Sequence, residues 1–156
     1  MKTLNVPRRT AFEFIGDENF SRENLAWLSI GEPFCAESFV YNKYLEGSPH
    51  LRIAFWDTCE PVEGLWGEIF EPPTKEQAAE IVDFLEKNRG RNFLVNCAAG
   101  ISRSGAVCAF LEKHFGYEWM EAGKRRTLKK HGPNLKLLGL MENYCLMLPE
   151  NQEQPT

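Results

Sequence analysis

The segment Arg91-Asn-Phe-Leu-Val-Asn-Cys-Ala-Ala-Gly-Ile-Ser-Arg-Ser-Gly-Ala-Val107 constrains this chain more than any other. Phe93, Leu94 and Val95 form a short apolar run suited to a buried strand, and from Ser104 onward the spacing of Val107, Phe110 and Leu111 turns helical. Between strand and helix lies Cys97-x-x-Gly-x-x-Arg103-Ser104. A strand that turns directly into a helix aims successive backbone N–H groups and a helix N-terminus at one point, a ready site for a phosphate-sized anion. Arg103 adds a planar fork that holds two oxygens at once, which a Lys cannot do.

Cys97 stands at the entrance to that turn, where the same donors would stabilise negative charge on its sulfur. A thiolate so placed is a nucleophile toward a bound phosphorus. The resulting thiophosphoryl intermediate, hydrolysed later by water, would split one hard step into two easier ones, and Ser104 can hydrogen-bond the sulfur as it leaves. The plainer reading is a small buried cysteine ahead of an ordinary turn.

These residues resemble the cysteine-dependent protein tyrosine and dual-specificity phosphatases, whose signature is Cys-x5-Arg-Ser/Thr. Cys97-Ala-Ala-Gly-Ile-Ser-Arg-Ser104 is similar to the dual-specificity form of the loop, and the Phe-Leu-Val strand before it fits as well. One position departs from the pattern. The family usually carries His directly before the nucleophile; here it is Asn96, which hydrogen-bonds but carries no charge.

The resemblance implies an α/β fold with a central, mainly parallel twisted sheet flanked by helices. It implies Cys97 as nucleophile, Arg103 as phosphate clamp, Ser104 as partner of the leaving thiolate, and the amides of Ala98, Ala99, Gly100, Ile101, Ser102 and Arg103 as transition-state donors. The reaction implied is hydrolysis of phosphotyrosine, with phosphoserine and phosphothreonine as further substrates, and it requires neither metal nor other cofactor. The family's lipid phosphatases tend to carry Lys within the loop. Ala98, Ala99 and Ile101 offer none, which favours a phosphoprotein or a small aryl phosphate.

The acid–base partner is sought at the end of another strand. Leu51-Arg-Ile-Ala-Phe-Trp56 has the aromatic and β-branched content of a strand and delivers Asp57. In parallel α/β sheets the working residues collect at the carboxyl ends of the strands, so Asp57 and Cys97 would share an edge. There Asp57 would protonate the leaving oxygen and then activate the attacking water. In the resemblance, Ile53-Ala-Phe-Trp-Asp57 matches the approach to the general acid. An Asp that simply opens a turn is the alternative, with Glu60 and Glu63 as fallback acids.

Elsewhere, Leu4-Asn-Val6 reads as a short strand, and Pro7 opens a helix through Ile15. Leu25-Ala-Trp-Leu-Ser-Ile30 reads as a buried strand ended by Gly31-Glu-Pro33. Residues 34–50, with Phe34, Phe39, Tyr41 and Tyr44, suggest an irregular segment or short helix whose rings pack on the sheet or wall a substrate pocket. The long loop from Thr58 to Pro73 would close over substrate, with Trp66 and Phe70 lining the pocket or pinning the loop, and with Cys59 as a candidate oxidative partner of Cys97. Thr74-Lys-Glu-Gln77 is a capping box opening a helix to Asn88-Arg-Gly90. Glu118–Lys130 reads as a helix dense in Lys124, Arg125, Arg126, Lys129 and Lys130, either a solvated face or an attractor of anions. Pro133-Asn134 opens the last apolar helix. The β-α-β-α succession argues for crossover helices on a parallel sheet.

At 156 residues and 43% hydrophobic content, residues 1–148 make one domain that buries a core unaided, followed by a polar tail at 149–156. Five cysteines without a CxxC pair argue against a disulfide framework or a zinc site and fit a reducing compartment. The chain lacks an apolar run of the roughly 20 residues a membrane span needs. A cytoplasmic monomer without membrane contact is expected, and a net charge of −4 argues against nucleic-acid binding by the whole domain. Three rivals stand beside the protein phosphatase: a phosphate-binding module with little turnover, an RNA 5′-phosphatase, and a thiol-based arsenate reductase or sulfurtransferase needing Cys59 to resolve the sulfur.

Overall fold

The computed structural model describes residues 1–17, 23–34, 47–121, 124–125 and 132–149. In chain order the elements are β1 (Lys2–Pro7), α1 (Arg8–Gly16), β2 (Leu25–Gly31), β3 (His50–Ala54), β4 (Val62–Glu63), β5 (Ile69–Phe70), α2 (Lys75–Lys87), β6 (Asn92–Cys97), α3 (Arg103–Phe115), β7 (Glu118–Glu121), β8 (Lys124–Arg125) and α4 (Leu135–Met147). Six strands form one sheet in the order β3-β2-β6-β1-β7-β8. The first five run parallel and β8 turns back antiparallel at the edge. The expected α/β fold with a parallel sheet flanked by helices is therefore what the chain adopts.

Alternation along the central strands assigns the two faces. Ala26, Leu28 and Ile30 of β2, with Phe93 and Val95 of β6, join the buried residues of α2, α3 and α4 in the larger core. Leu25, Trp27 and Leu94 face the other way and pack with Val6 and Ala11, with α1 as the cover. β2 is buried along its whole length, as a central strand covered on both faces must be. The apolar stripe of α2 buries Ala78, Ile81, Val82 and Leu85. Its N-terminus carries the capping box expected from sequence: Gln77 N–H donates to Thr74 Oγ1, and Thr74 N–H donates to Gln77 Oε1.

Two expectations are corrected. Glu118–Glu121 is not the start of a helix but a strand paired in parallel with β1 on one side and antiparallel with the edge strand β8 on the other. A place beside β1 satisfies its backbone, and tertiary pairing of this kind overrides local helical preference. The basic residues Arg126, Lys129 and Lys130 of that stretch lie outside the described residues, as do Phe39, Tyr41, Tyr44 and the tail from residue 150. The loop after Asp57 is also more ordered than expected: β4 and β5 pair as a small antiparallel hairpin. Among the described residues, no helix is long and apolar enough to cross a membrane.

β6 lies between β1 on one side and β2 and β3 on the other. The chain thus leaves the carboxyl edge of the sheet toward α1 on one flank of Cys97 and toward Asp57 on the other. A crevice at such a change of direction is where open α/β sheets bind ligands.

Candidate functional site

β6 ends at Cys97, whose side chain is 2% exposed at the bottom of a pocket of about 480 Å³. The pocket is lined by Asp57, Cys97, Ala98, Ala99, Ile101, Ser102, Arg103 and Gly132. Cys97 Sγ lies 3.1 Å from Ser104 Oγ, which sits in the first turn of α3. The structure thus brings together the four residues singled out for chemistry.

The turn from Cys97 to Ser102 is held from beneath by β1 and the start of α1. Asn5 Nδ2 donates to the Gly100 carbonyl at 3.0 Å, and Arg8 N–H donates to the Ala98 carbonyl at 3.3 Å. Gly100 has φ +65°, and a Cβ there would fall 2.3 Å from Pro7 N and 2.4 Å from the Val6 carbonyl carbon. Only glycine meets both conditions. The loop is therefore clamped onto the β1–α1 junction rather than floating above the sheet.

Ser102 is the N-cap of α3, yet its side chain caps nothing. Its hydroxyl donates instead to Asp57 Oδ1 at 2.8 Å. The first N–H groups of α3 receive no side-chain cap from Ser102, and an anion there would take the place of a cap.

Arg103 is 4% exposed and its guanidinium is fixed on three sides. One terminal nitrogen donates to the carbonyls of Gly31 (2.9 Å) and Phe55 (2.8 Å), and the other to Glu32 Oε1 at 2.5 Å. Glu32 also accepts from Arg8 at 2.6 Å. Burial works to raise the Glu32 carboxyl, but the hydrogen bonds and charges of Arg103 and Arg8 outweigh it and hold the group below its ordinary value. Arg103 Nε is buried and has no hydrogen-bond partner among the described residues. A buried N–H left open on a guanidinium whose two terminal nitrogens both donate to the protein is costly unless a ligand completes it.

Asp57 follows β3 and lines the pocket on the flank away from α1. Besides Ser102, it accepts from Asn134 Nδ2 at 2.9 Å. Asn134 is itself placed firmly: its Oδ1 caps α4 by accepting from Leu137 N–H at 3.0 Å, and its own N–H donates to the Ser102 carbonyl at 3.0 Å. One residue, through its side chain and its own N–H, thus ties the start of α4, the start of α3 and Asp57 together.

Neither Glu32 nor Asn134 stood among the residues expected at the site. Asn134 was visible only as the opening of a helix, and Glu32 only as part of a strand-ending turn; both act on partners far along the chain. Asn96 lies on the opposite face of β6 from Cys97, where its Oδ1 accepts from Trp27 Nε1 at 2.9 Å. Cys59 is exposed, 3.9 Å from Asn134 Oδ1, and like Glu60 and Glu63 is absent from the pocket lining. Phe70 pins the hairpin by an edge contact with Trp56, ring centroids 4.7 Å apart, while Trp66 is 91% exposed and absent from the lining of this pocket. Comparison with protein-family models, curated proteins and solved structures finds no match to this chain.

Proposed function

We propose that the chain is a cysteine-dependent phosphatase of the protein tyrosine and dual-specificity type, acting on phosphate monoesters. The observation that carries the reading is the single pocket into which Cys97, Arg103 and Asp57 all open. The phosphoryl group would sit on the uncapped N–H groups at the start of α3, with Arg103 Nε as a further donor. Charge on the transferring group is met by fixed dipoles that need no rearrangement. The Cys97 thiolate attacks phosphorus while protonated Asp57 gives its proton to the departing alcohol oxygen. Asp57, now a carboxylate, takes a proton from water as that water attacks the thiophosphate. Inorganic phosphate leaves, and the recovered thiolate is held by Ser104.

The pocket favours a flat aromatic ester. Cys97 lies at its bottom, and the walls include the small apolar side chains of Ala98, Ala99 and Ile101. A phenyl ring reaches such a floor more readily than the short side chain of phosphoserine. Phosphotyrosine in a protein is accordingly the preferred substrate class, handled by a single domain acting in the cytoplasm without a metal.

A second reading, a phosphate-binding module with little turnover, draws on Asn96, a neutral residue engaged with Trp27 where the resembling family places an ionisable His. Hydrolysis of p-nitrophenyl phosphate without metal, between about pH 5 and pH 8, decides between them. Activity lost in Cys97→Ser and much reduced in Asp57→Asn supports the enzyme. An inert wild type that still binds phosphate or vanadate leaves the module.

A further inference from the structure

A second pocket of about 540 Å³ adjoins the first, the two sharing Ala98. Its other walls are Arg8, Arg9, Phe12 and Glu13 of α1. Arg8 is committed to Glu32, but Arg9 is 92% exposed and, among the described residues, pairs with Glu13 alone, at 3.4 Å across one helical turn. Such a solvated pair is worth little and is easily exchanged for another carboxylate. Phe12, 45% exposed, gives the pocket an apolar floor.

The opposite flank of Cys97 has the reverse charge. From Ile53 to Thr74 the chain holds Asp57, Glu60, Glu63, Glu68 and Glu71, with no Lys or Arg among them. Because β6 separates β1 from β2 and β3, α1 with Arg9 and the acidic segment that begins at Asp57 leave the sheet on opposite sides of Cys97. A polypeptide lying across the pocket meets Arg9 and Phe12 on one side of its phosphorylated residue and the start of this acidic segment on the other.

We propose that the α1 pocket is a specificity subsite for an acidic residue flanking the phosphorylated residue of a polypeptide substrate. Arg9 pairs with the flanking carboxylate, Phe12 packs against its methylenes, and the acidic segment repels the same residue from the other side, so the substrate is read in one direction. The inference rests on the phosphatase reading and names the substrate's flank.

The test uses four phosphotyrosine peptides, with Glu or Lys immediately N-terminal or C-terminal to the phosphorylated residue, and compares kcat/KM for wild type and Arg9→Glu. In wild type, Glu on one side alone improves kcat/KM by about fivefold over Lys, through KM, and the gain fades as salt is raised. Arg9→Glu reverses the preference on that same side, so that the Lys peptide becomes the better substrate. This gain of activity cannot come from misfolding. Absence of a flank preference in wild type, or a preference that Arg9→Glu leaves unchanged, overturns the proposal. A 5′-phosphorylated dinucleotide whose turnover falls in Arg9→Glu while the peptides show no preference also overturns it, in favour of a nucleic-acid strand. Should wild type turn over neither p-nitrophenyl phosphate nor the peptides, the enzyme reading fails separately, and the affinities of the four peptides for both proteins decide the subsite by the same criteria.

Discussion

Gly100→Ala probes the clamp that sets the candidate loop on the sheet. Two penalties act on the new methyl group. With φ at +65°, a side chain costs about 1–2 kcal/mol in the left-handed region. The Cβ would also stand 2.3 Å from Pro7 N and 2.4 Å from the Val6 carbonyl carbon, backbone atoms that cannot rotate aside. Relieving such overpacking costs a further ~1–3 kcal/mol. Movement of the loop would strain the Asn5 hydrogen bond to the Gly100 carbonyl, worth about 1 kcal/mol. The expected loss is about 3–6 kcal/mol, or roughly 10–20 °C in Tm for a domain of this size. Gly116→Ala is the internal control, because its φ of +70° is similar but none of the described residues lies within 4 Å of the added Cβ. It should lose only the left-handed penalty of about 1–2 kcal/mol. Urea unfolding of wild type and both variants measures the two costs. Equal losses in the two variants would refute the close-approach argument, as would a Gly100→Ala protein with wild-type stability and wild-type phosphate affinity.

Glu32→Gln removes the charge between Arg103 and Arg8 and should cost about 2 kcal/mol at neutral pH. The folded carboxyl lies below its ordinary 4.5, so this contribution is present above that value and is lost as pH falls through the folded one. Urea midpoints of the two proteins should therefore differ by a constant amount near neutrality and converge in acid; a gap that widens below pH 4.5 would contradict the sign. Asn134→Ala removes both the α4 cap and a donor to Asp57, and is expected to lower stability by about 1–2 kcal/mol and kcat by roughly tenfold. An unchanged kcat alongside the stability loss would reduce Asn134 to a cap. Thr74→Ala, far from the pocket, should cost about 1 kcal/mol by urea unfolding with kcat unaltered.

Local chemistry made part of this molecule readable in advance. The apolar run 93–95, the helical spacing after Ser104 and the Thr74–Gln77 reciprocal cap are patterns whose partners lie within a few residues, and each appears as expected. Asp57 was legible because the end of a strand fixes an edge of the sheet, although β3 itself stops at Ala54. Glu118–Glu121 was misread because its strand identity depends on β1, more than a hundred residues earlier. For the same reason Asn5, Glu32 and Asn134, which build the pocket through contacts 95, 71 and 77 residues apart, left no local mark of that role.

The central claim is a covalent step at Cys97, and it is tested most directly by trapping the thiophosphate. In Asp57→Asn, p-nitrophenyl phosphate still loses its good leaving group without an acid, while hydrolysis of the intermediate lacks its base, so the intermediate accumulates. Intact-protein mass spectrometry after rapid quenching in denaturant should show Asp57→Asn heavier by one phosphoryl group, with the added mass mapping to the peptide containing Cys97. Turnover of the substrate with no such adduct, or an adduct that persists in Cys97→Ser, would contradict the account.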